Sequence, residues 1–175
     1  MPATSEPDSR TPSSEESVDR VVVGVSALFQ HARILWLATI QETNPPTPHC
    51  LGLVFTADSL SLRMLLGRDS TNRRRLMRGE RAAFAIGDFE RVDGEIFGEG
   101  PVTDIGDATP FLSGFVAKYS WLDASTLSGT PRCIQLAPDA LTWVRIKPGG
   151  VISETTIRQK DATWSIAAAR MKVPK

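Results

Sequence analysis

The segment Leu66-Gly67-Arg68-Asp69-Ser70-Thr71-Asn72-Arg73-Arg74-Arg75-Leu76 carries the densest chemistry in the chain. An apolar run ends at Leu66, two hydroxyl residues follow, and guanidinium groups then crowd a stretch of helical spacing. A helix N-terminus offers free backbone N–H groups and a partial positive charge. Hydroxyls and arginines beside it make a cradle for a phosphate or another small anion. An ordinary surface helix capped by Ser70 fits the same residues, so the segment alone leaves both readings open.

Other chemical signatures are missing. The chain has no G-x-S-x-G elbow, P-loop, H-E-x-x-H or C-x-x-C. Gly98-Glu99-Gly100 lacks the third glycine of a dinucleotide fingerprint. Asp88, Glu90, Asp93 and Glu95 alternate near a turn, as catalytic carboxylates or a solvated strand face would. Cys50 and Cys133, with only His31 and His49 beside them, are too few for a closed metal site. Both cysteines are expected as small buried hydrophobes. Tyr119 and Trp121 are expected as buried aromatic anchors or the cover of a pocket.

The elements that must position these residues follow from periodicity. Val18, Val21, Val22, Val25, Leu28 and Phe29 fall at helical spacing, which predicts a helix over Val18–Gln30 with Ser17 as N-cap. Strands are expected at Ile34–Ile40, His49–Thr56, Leu60–Leu66, Arg81–Phe89, Gly94–Ile105, Arg132–Leu136 and Ala140–Ile146. Gly98 and Gly100 suggest a bend or bulge in the fifth. A short helix is expected over Ser70–Arg78, with Leu76 and Met77 inward and arginines outward, and another over Asp107–Tyr119. Residues 151–175 stay undecided, although Thr155–Arg158 and Trp164–Ile166 are strand-like. Strands joined by two to five residues must be antiparallel, because a parallel crossover needs about a dozen. Six or seven such strands close most economically as a small barrel with helices outside, a mainly β fold.

With 175 residues and 19.1 kDa the chain suffices for one domain, expected over residues 18–175. Residues 1–17, rich in Ser, Pro and Glu, read as a disordered tail. Neither a secretory signal nor a run of about 18 apolar residues is present, so a cytoplasmic address without a membrane span is expected. The net charge of zero is unevenly spread. Residues 63–81 hold seven arginines against Asp69 and Glu80, and residues 145–175 hold seven basic and two acidic side chains. A neutral chain with a local arginine cluster suits a small anionic ligand better than a nucleic acid.

One ordered set of features is recognisable. Arg33-Ile-Leu-Trp-Leu-Ala-Thr-Ile40 is followed by a turn with Pro46, a strand ending at Phe55 and the Asp58 turn. Leu62-Arg-Met-Leu-Leu66, Ser70-x-Asn72-x-x-x-Leu76, Ala82–Gly87 and Gly98-Glu-Gly-Pro-Val-Thr-Asp104 come next. In that order they resemble the pyridoxamine 5'-phosphate oxidase-like, FMN-binding split-barrel family. The resemblance covers Arg33–Asp104 well and Pro110–Ile146 loosely. It implies a six-stranded antiparallel Greek-key barrel with flanking helices, a homodimer, and FMN or a related flavin in a groove between subunits. It also implies an oxidoreductase that passes electrons or hydride between the cofactor and a small-molecule substrate, with a nicotinamide as candidate donor.

The family's Ser-x-Lys phosphate motif lands on Ser70 and Asn72. Asn72 removes the lysine, so Arg68, Arg73 or Arg74, beside Thr71, would supply the charge. Leu51, Leu53 and Val54 would lie against the flavin ring, with His49 at its border. The substrate residues of pyridoxamine phosphate oxidase have no match. FMN is expected first. A deazaflavin coenzyme is the alternative, because Arg75, Arg78 and the basic C-terminal segment suit a longer anion. A non-enzymatic flavin- or haem-binding sensor on the same fold is the reading from another class.

Overall fold

A computed structural model of the chain describes residues 17–41, 47–87, 94–122 and 131–173, with the backbone alone at 40, 41, 47–49 and 148. The expected tail over residues 1–17 lies outside them except for Ser17. Helix α1 (Val18–His31) starts at Ser17, whose side chain accepts the Arg20 N–H at 3.3 Å. It buries Val21, Val25, Leu28 and Phe29 on one face. Ten strands follow: β1 (Leu35–Gln41), β2 (Thr47–Leu53), β3 (Phe55–Asp58), β4 (Ser61–Leu66), β5 (Arg81–Gly87), β6 (Glu95–Asp107), β7 (Arg132–Leu136), β8 (Ala140–Ile146), β9 (Ile152–Lys160) and β10 (Thr163–Lys172). Helix α2 (Thr71–Gly79) links β4 to β5. Helix α3 (Leu112–Lys118) follows β6 after the tight helical turn Thr109–Phe111.

The pairings close a ring. β2 pairs with β1 and continues through Val54 into β3, which pairs with β4. β4 pairs with β7, β7 with β6, β6 with β5, and β5 with β1. Counting β2–β3 as one stave gives six antiparallel staves in Greek-key order, the expected barrel. The ten strands exceed the six or seven expected because β9 and β10 extend the expected β8 into a wing on the first half of β6. The undecided C-terminal stretch is the outer hairpin of that wing. The His49–Thr56 strand is also two strands, because the chain changes partner at Val54.

β6 serves both parts. Residues 95–99 pair with β8, and residues 102–107 pair with β7. The β7–β8 turn crosses β6 between them. A Cβ on Gly100 would lie 2.3 Å from the Ala137 carbonyl oxygen, so only glycine admits the turn. Pro101 sits at the changeover, where its missing N–H breaks no ladder. Ala137 and Asp139 close the crossing by donating N–H bonds to Pro101 and Glu99 at 3.1 Å. Gly98 and Gly100 therefore give close approach rather than the expected bulge. The β6 bulge lies between Asp104 and Gly106, where Gly106 takes φ +106°. Arg81, at the start of β5, clamps Asp139 with two bonds of 2.7 and 2.9 Å.

The main core fills the barrel and the space under α1. Phe29, Leu35, Leu37, Phe55, Leu62, Met64, Ile96 and Ile134 are fully enclosed. A second cluster, Leu65, Phe115, Tyr119, Leu122 and Cys133, joins the Thr109–Phe111 turn and α3 to the outer face of β4 and β7. Tyr119 is the expected anchor, but Trp121 is 69 % exposed and is not. Cys133 is buried as expected; Cys50 is exposed, because its register partner Ala38 lies on the outer face of the sheet.

Candidate functional site

The β3–β4 ladder ends at Phe55–Met64. Extending its register would set Leu53 opposite Leu66, yet Leu53 pairs with Leu35 of β1 instead. The two strands part here, and the barrel is split. One lip is the β2 edge turned away from β1, which has no partner among the described strands. The other lip is the end of β4 and the loop Gly67–Ser70 that opens α2. The split thus separates the two groups of residues singled out in the sequence, one on each lip.

On the first lip, Leu51 and Leu53 point inward and pack on the main core, while Val54 packs on the second cluster. Their side chains belong to the interior, so what β2 offers at the split is backbone. His49 pairs with Thr39, and its side chain lies outside the described residues. On the outer face of the same strands, the Trp36 indole covers Gly52, where a Cβ would lie 3.2 Å from the ring.

On the second lip, Ser70 is the N-cap of α2, with its Oγ accepting the Arg73 N–H at 3.0 Å. Ser70 N–H bonds the Gly67 carbonyl at 3.0 Å, which folds the loop tightly. Thr71 and Arg74 are exposed at the first turn, with Arg74 Nη2 3.4 Å from Thr71 Oγ1. Arg68 is exposed, and Asn72 is half-buried. The arginines differ in kind. Arg73 turns away from solvent: its Nε donates to Asp104 Oδ2 at 2.8 Å, its Nη2 contacts the same oxygen, and its Nη1 donates to the Arg68 carbonyl at 3.0 Å.

Asp104, the last residue of the Gly98–Asp104 motif, and Arg132 have no site role in the sequence reading. Arg132 Nη2 lies 3.0 Å from Asp104 Oδ1, so one carboxylate serves two guanidiniums. Burial alone would raise the Asp104 carboxyl. Hydrogen bonds from Arg73, Arg132 and the Gly106 N–H outweigh it and hold the group below the usual carboxylate range. Of the alternating carboxylates, Asp88, Glu90 and Asp93 lie outside the described residues, and Glu95 is exposed. No group of three metal-ligating side chains occurs among the described residues.

Behind the split, α3 ties the barrel corner. Tyr119 Oη accepts the Phe55 N–H at 3.0 Å and lies 2.8 Å from the Arg33 carbonyl. Lys118 Nζ donates to the Phe29 carbonyl at 2.8 Å, near the end of α1, and lies 3.7 Å from the centre of the Phe55 ring. Burial first, and then the Arg33 charge, lowers the Lys118 amine to about 8.

No protein-family model matches the chain, and no curated protein matches it in sequence. Solved structures do match. A pyridoxamine 5'-phosphate oxidase-related, FMN-binding protein from Nostoc punctiforme superposes with a TM-score of 0.62 at 15% identity, over 90% of this chain and 98% of that one. General Stress Protein 26 from Bacillus anthracis gives 0.57 at 17% identity, over 70% and 92% of the two chains. An F420 reductase gives 0.57 at 19% identity, over 66% and 94%. Among the described residues no helix is long and apolar enough to cross a membrane. With the closed ring of six staves and its split at Val54, these likenesses identify the fold as that of the pyridoxamine 5'-phosphate oxidase-like split barrels.

Proposed function

We propose that the chain is a cytoplasmic oxidoreductase that holds a phosphate-bearing flavin or deazaflavin in the split between β2 and α2. The observation that carries this reading is the placement of a capped, arginine-rich helix N-terminus across the split from a strand edge that has no partner among the described strands. The residues fit such a group. The first N–H groups of α2, the Thr71 hydroxyl, Asn72 and the exposed Arg68 and Arg74 are suited to a phosphate. The backbone edge of β2 at Leu51, Leu53 and Val54 is suited to the polar rim of a flat ring. When bound, the cofactor supplies the electron or hydride chemistry; the chain orients it and keeps water from it. Likeness in fold to an FMN-binding protein and to an F420 reductase supports both cofactor classes. FMN is the first choice, and the deazaflavin is the second.

The cofactor groove is proposed to be completed by a second copy of the chain. Trp36, Ala85, Phe97 and Thr142 form one row across β1, β5, β6 and β8 on the outer face of the sheet. Trp36 and Phe97 are each 44 % exposed there, flanked by small alanines. An apolar row of that kind suits a two-fold contact.

Titration with FMN, riboflavin and a deazaflavin coenzyme tests the reading. FMN should bind more tightly than riboflavin, which lacks the phosphate. Arg74→Ala or Arg68→Ala should weaken FMN by roughly ten- to a hundredfold, as loss of a charged hydrogen bond implies. Equal affinity for FMN and riboflavin, or no binding of any of the three, would overturn it. Tight binding without turnover by a nicotinamide donor would assign the chain to the binding or sensor class. Light scattering at the 19.1 kDa of one chain would overturn the dimer.

A further inference from the structure

We infer that Asp104 is a positioning residue for the candidate anion cradle, holding the first turn of α2 and the Gly67–Ser70 loop through Arg73. This rests on the cradle reading above. The need for such a residue is written in α2 itself. Its sequence Thr71-Asn-Arg-Arg-Arg-Leu-Met-Arg-Gly79 has no acidic residue in the first turn. Arginines occupy the positive end of the helix dipole, where cations are unfavourable and anions are favoured. The missing negative charge comes from β6.

The contacts of Asp104 join three segments. Its Oδ2 accepts Arg73 Nε at 2.8 Å. Its Oδ1 takes the Gly106 N–H at 3.0 Å, across the bulge that breaks the β6–β7 register. Arg132 completes the set from β7, at the position paired with Leu66, the last residue of β4 before the loop. Arg73 then passes the anchorage on: its Nη1 bonds the Arg68 carbonyl at 3.0 Å, and its N–H bonds the Ser70 cap. The Asp104 side chain is 13 % exposed, so these bonds are shielded from water. The chain of contacts runs from the β6–β7 ladder to both ends of the loop, and none of its links requires a ligand.

Charge and positioning make opposite demands, which gives the inference a sign. By charge alone, a carboxylate near the cradle opposes an anion. Asp104→Asn would leave Arg73 and Arg132 uncompensated and tighten FMN. Positioning requires the reverse, because Arg73 loses its anchor and the loop loosens. FMN affinity should fall about tenfold in Asp104→Asn, the change expected when a charge-assisted hydrogen bond is lost. Riboflavin affinity should change less than about twofold, because the ring side of the split is untouched; a merely structural role would weaken both. FMN affinity that rises or holds in Asp104→Asn overturns the inference. Hydrogen exchange on the ligand-free proteins gives a second reading. The amides of residues 68–71 should exchange faster in Asp104→Asn and in Arg73→Lys, while β5 amides keep their protection. Unchanged loop protection overturns the inference. If the wild type does not favour FMN over riboflavin, the cradle reading has failed, and exchange alone decides the role of Asp104. Should Asp104→Asn not fold, Asp104→Glu shifts the carboxylate by one methylene, and the same two readouts decide.

Discussion

Replacing Tyr119 by Phe removes one oxygen from the barrel corner and keeps the ring that fills the second core cluster. The Phe55 N–H, at a fully buried residue, gives its hydrogen bond to that oxygen at 3.0 Å. Phe55 opens β3 at the place where the stave changes partner from β1 to β4, so no strand lies ready to replace it. The Arg33 carbonyl, 2.8 Å from the same hydroxyl, belongs to an exposed residue and can turn to water. One buried orphan donor costs roughly 1–3 kcal/mol. At about 2–4 °C per kcal/mol for a chain of this size, the melting temperature should fall by about 2–12 °C. Urea unfolding followed by tryptophan fluorescence measures the free energy, and an unchanged m-value would show that the unfolding transition still exposes the same surface. A loss below about 0.5 kcal/mol would refute the reasoning, since it would mean that water or another group satisfies Phe55.

Other outcomes follow from the same geometry. The Lys118 amine, lowered to about 8 in the fold, binds fewer protons than in the unfolded chain between that value and its ordinary one near 10.4. Stability should therefore rise with pH across that window, by on the order of 1–2 kcal/mol after screening of a half-buried amine, and Lys118→Met should flatten the rise in a thermal scan. Gly24→Ala should favour helix in isolation yet destabilise the protein by about 1–3 kcal/mol in urea, because the new Cβ would lie 2.1 Å from the Trp143 indole. A thiol reagent at pH 8 should modify Cys50 in the native chain and spare Cys133, whose thiol burial pushes up to about 11; reaction of both before unfolding would contradict the burial of Cys133.

Much of the barrel was legible because its staves are short apolar runs between strong turns. Ser17 and Ser70 were readable as caps from type and position alone, and both accept an N–H three residues on. The wing was harder. β9 and β10 carry alternating polar residues with no turn glycine between them, and the hairpin reverses on Asp161 and Ala162 in left-handed conformations. By residue type Gly98 and Gly100 suggest a bend or bulge, but the demand on Gly100 comes from the distant turn at Ala137–Pro138. The candidate site divides in the same way. The helix start and its arginines are local and readable. The commitment of Arg73 to Asp104 joins residues 31 positions apart, and no local pattern announces it.

The shared use of β6 has a consequence for how this chain folds and fails. Its 13 residues pair with β5 on one side and with β8 and β7 in turn on the other. Neither the ring nor the wing has a complete ladder until β6 is in place, and β6 cannot be seated until chain from both sides of it has arrived. Loops must close at a loss of entropy before the contacts that reward them exist, which makes folding slow relative to a helical chain of equal length. Once closed, the arrangement makes fraying of the wing and opening of the ring parts of one event. Heat should therefore reveal a single transition, with the C-terminal hairpin and the barrel core losing amide protection together.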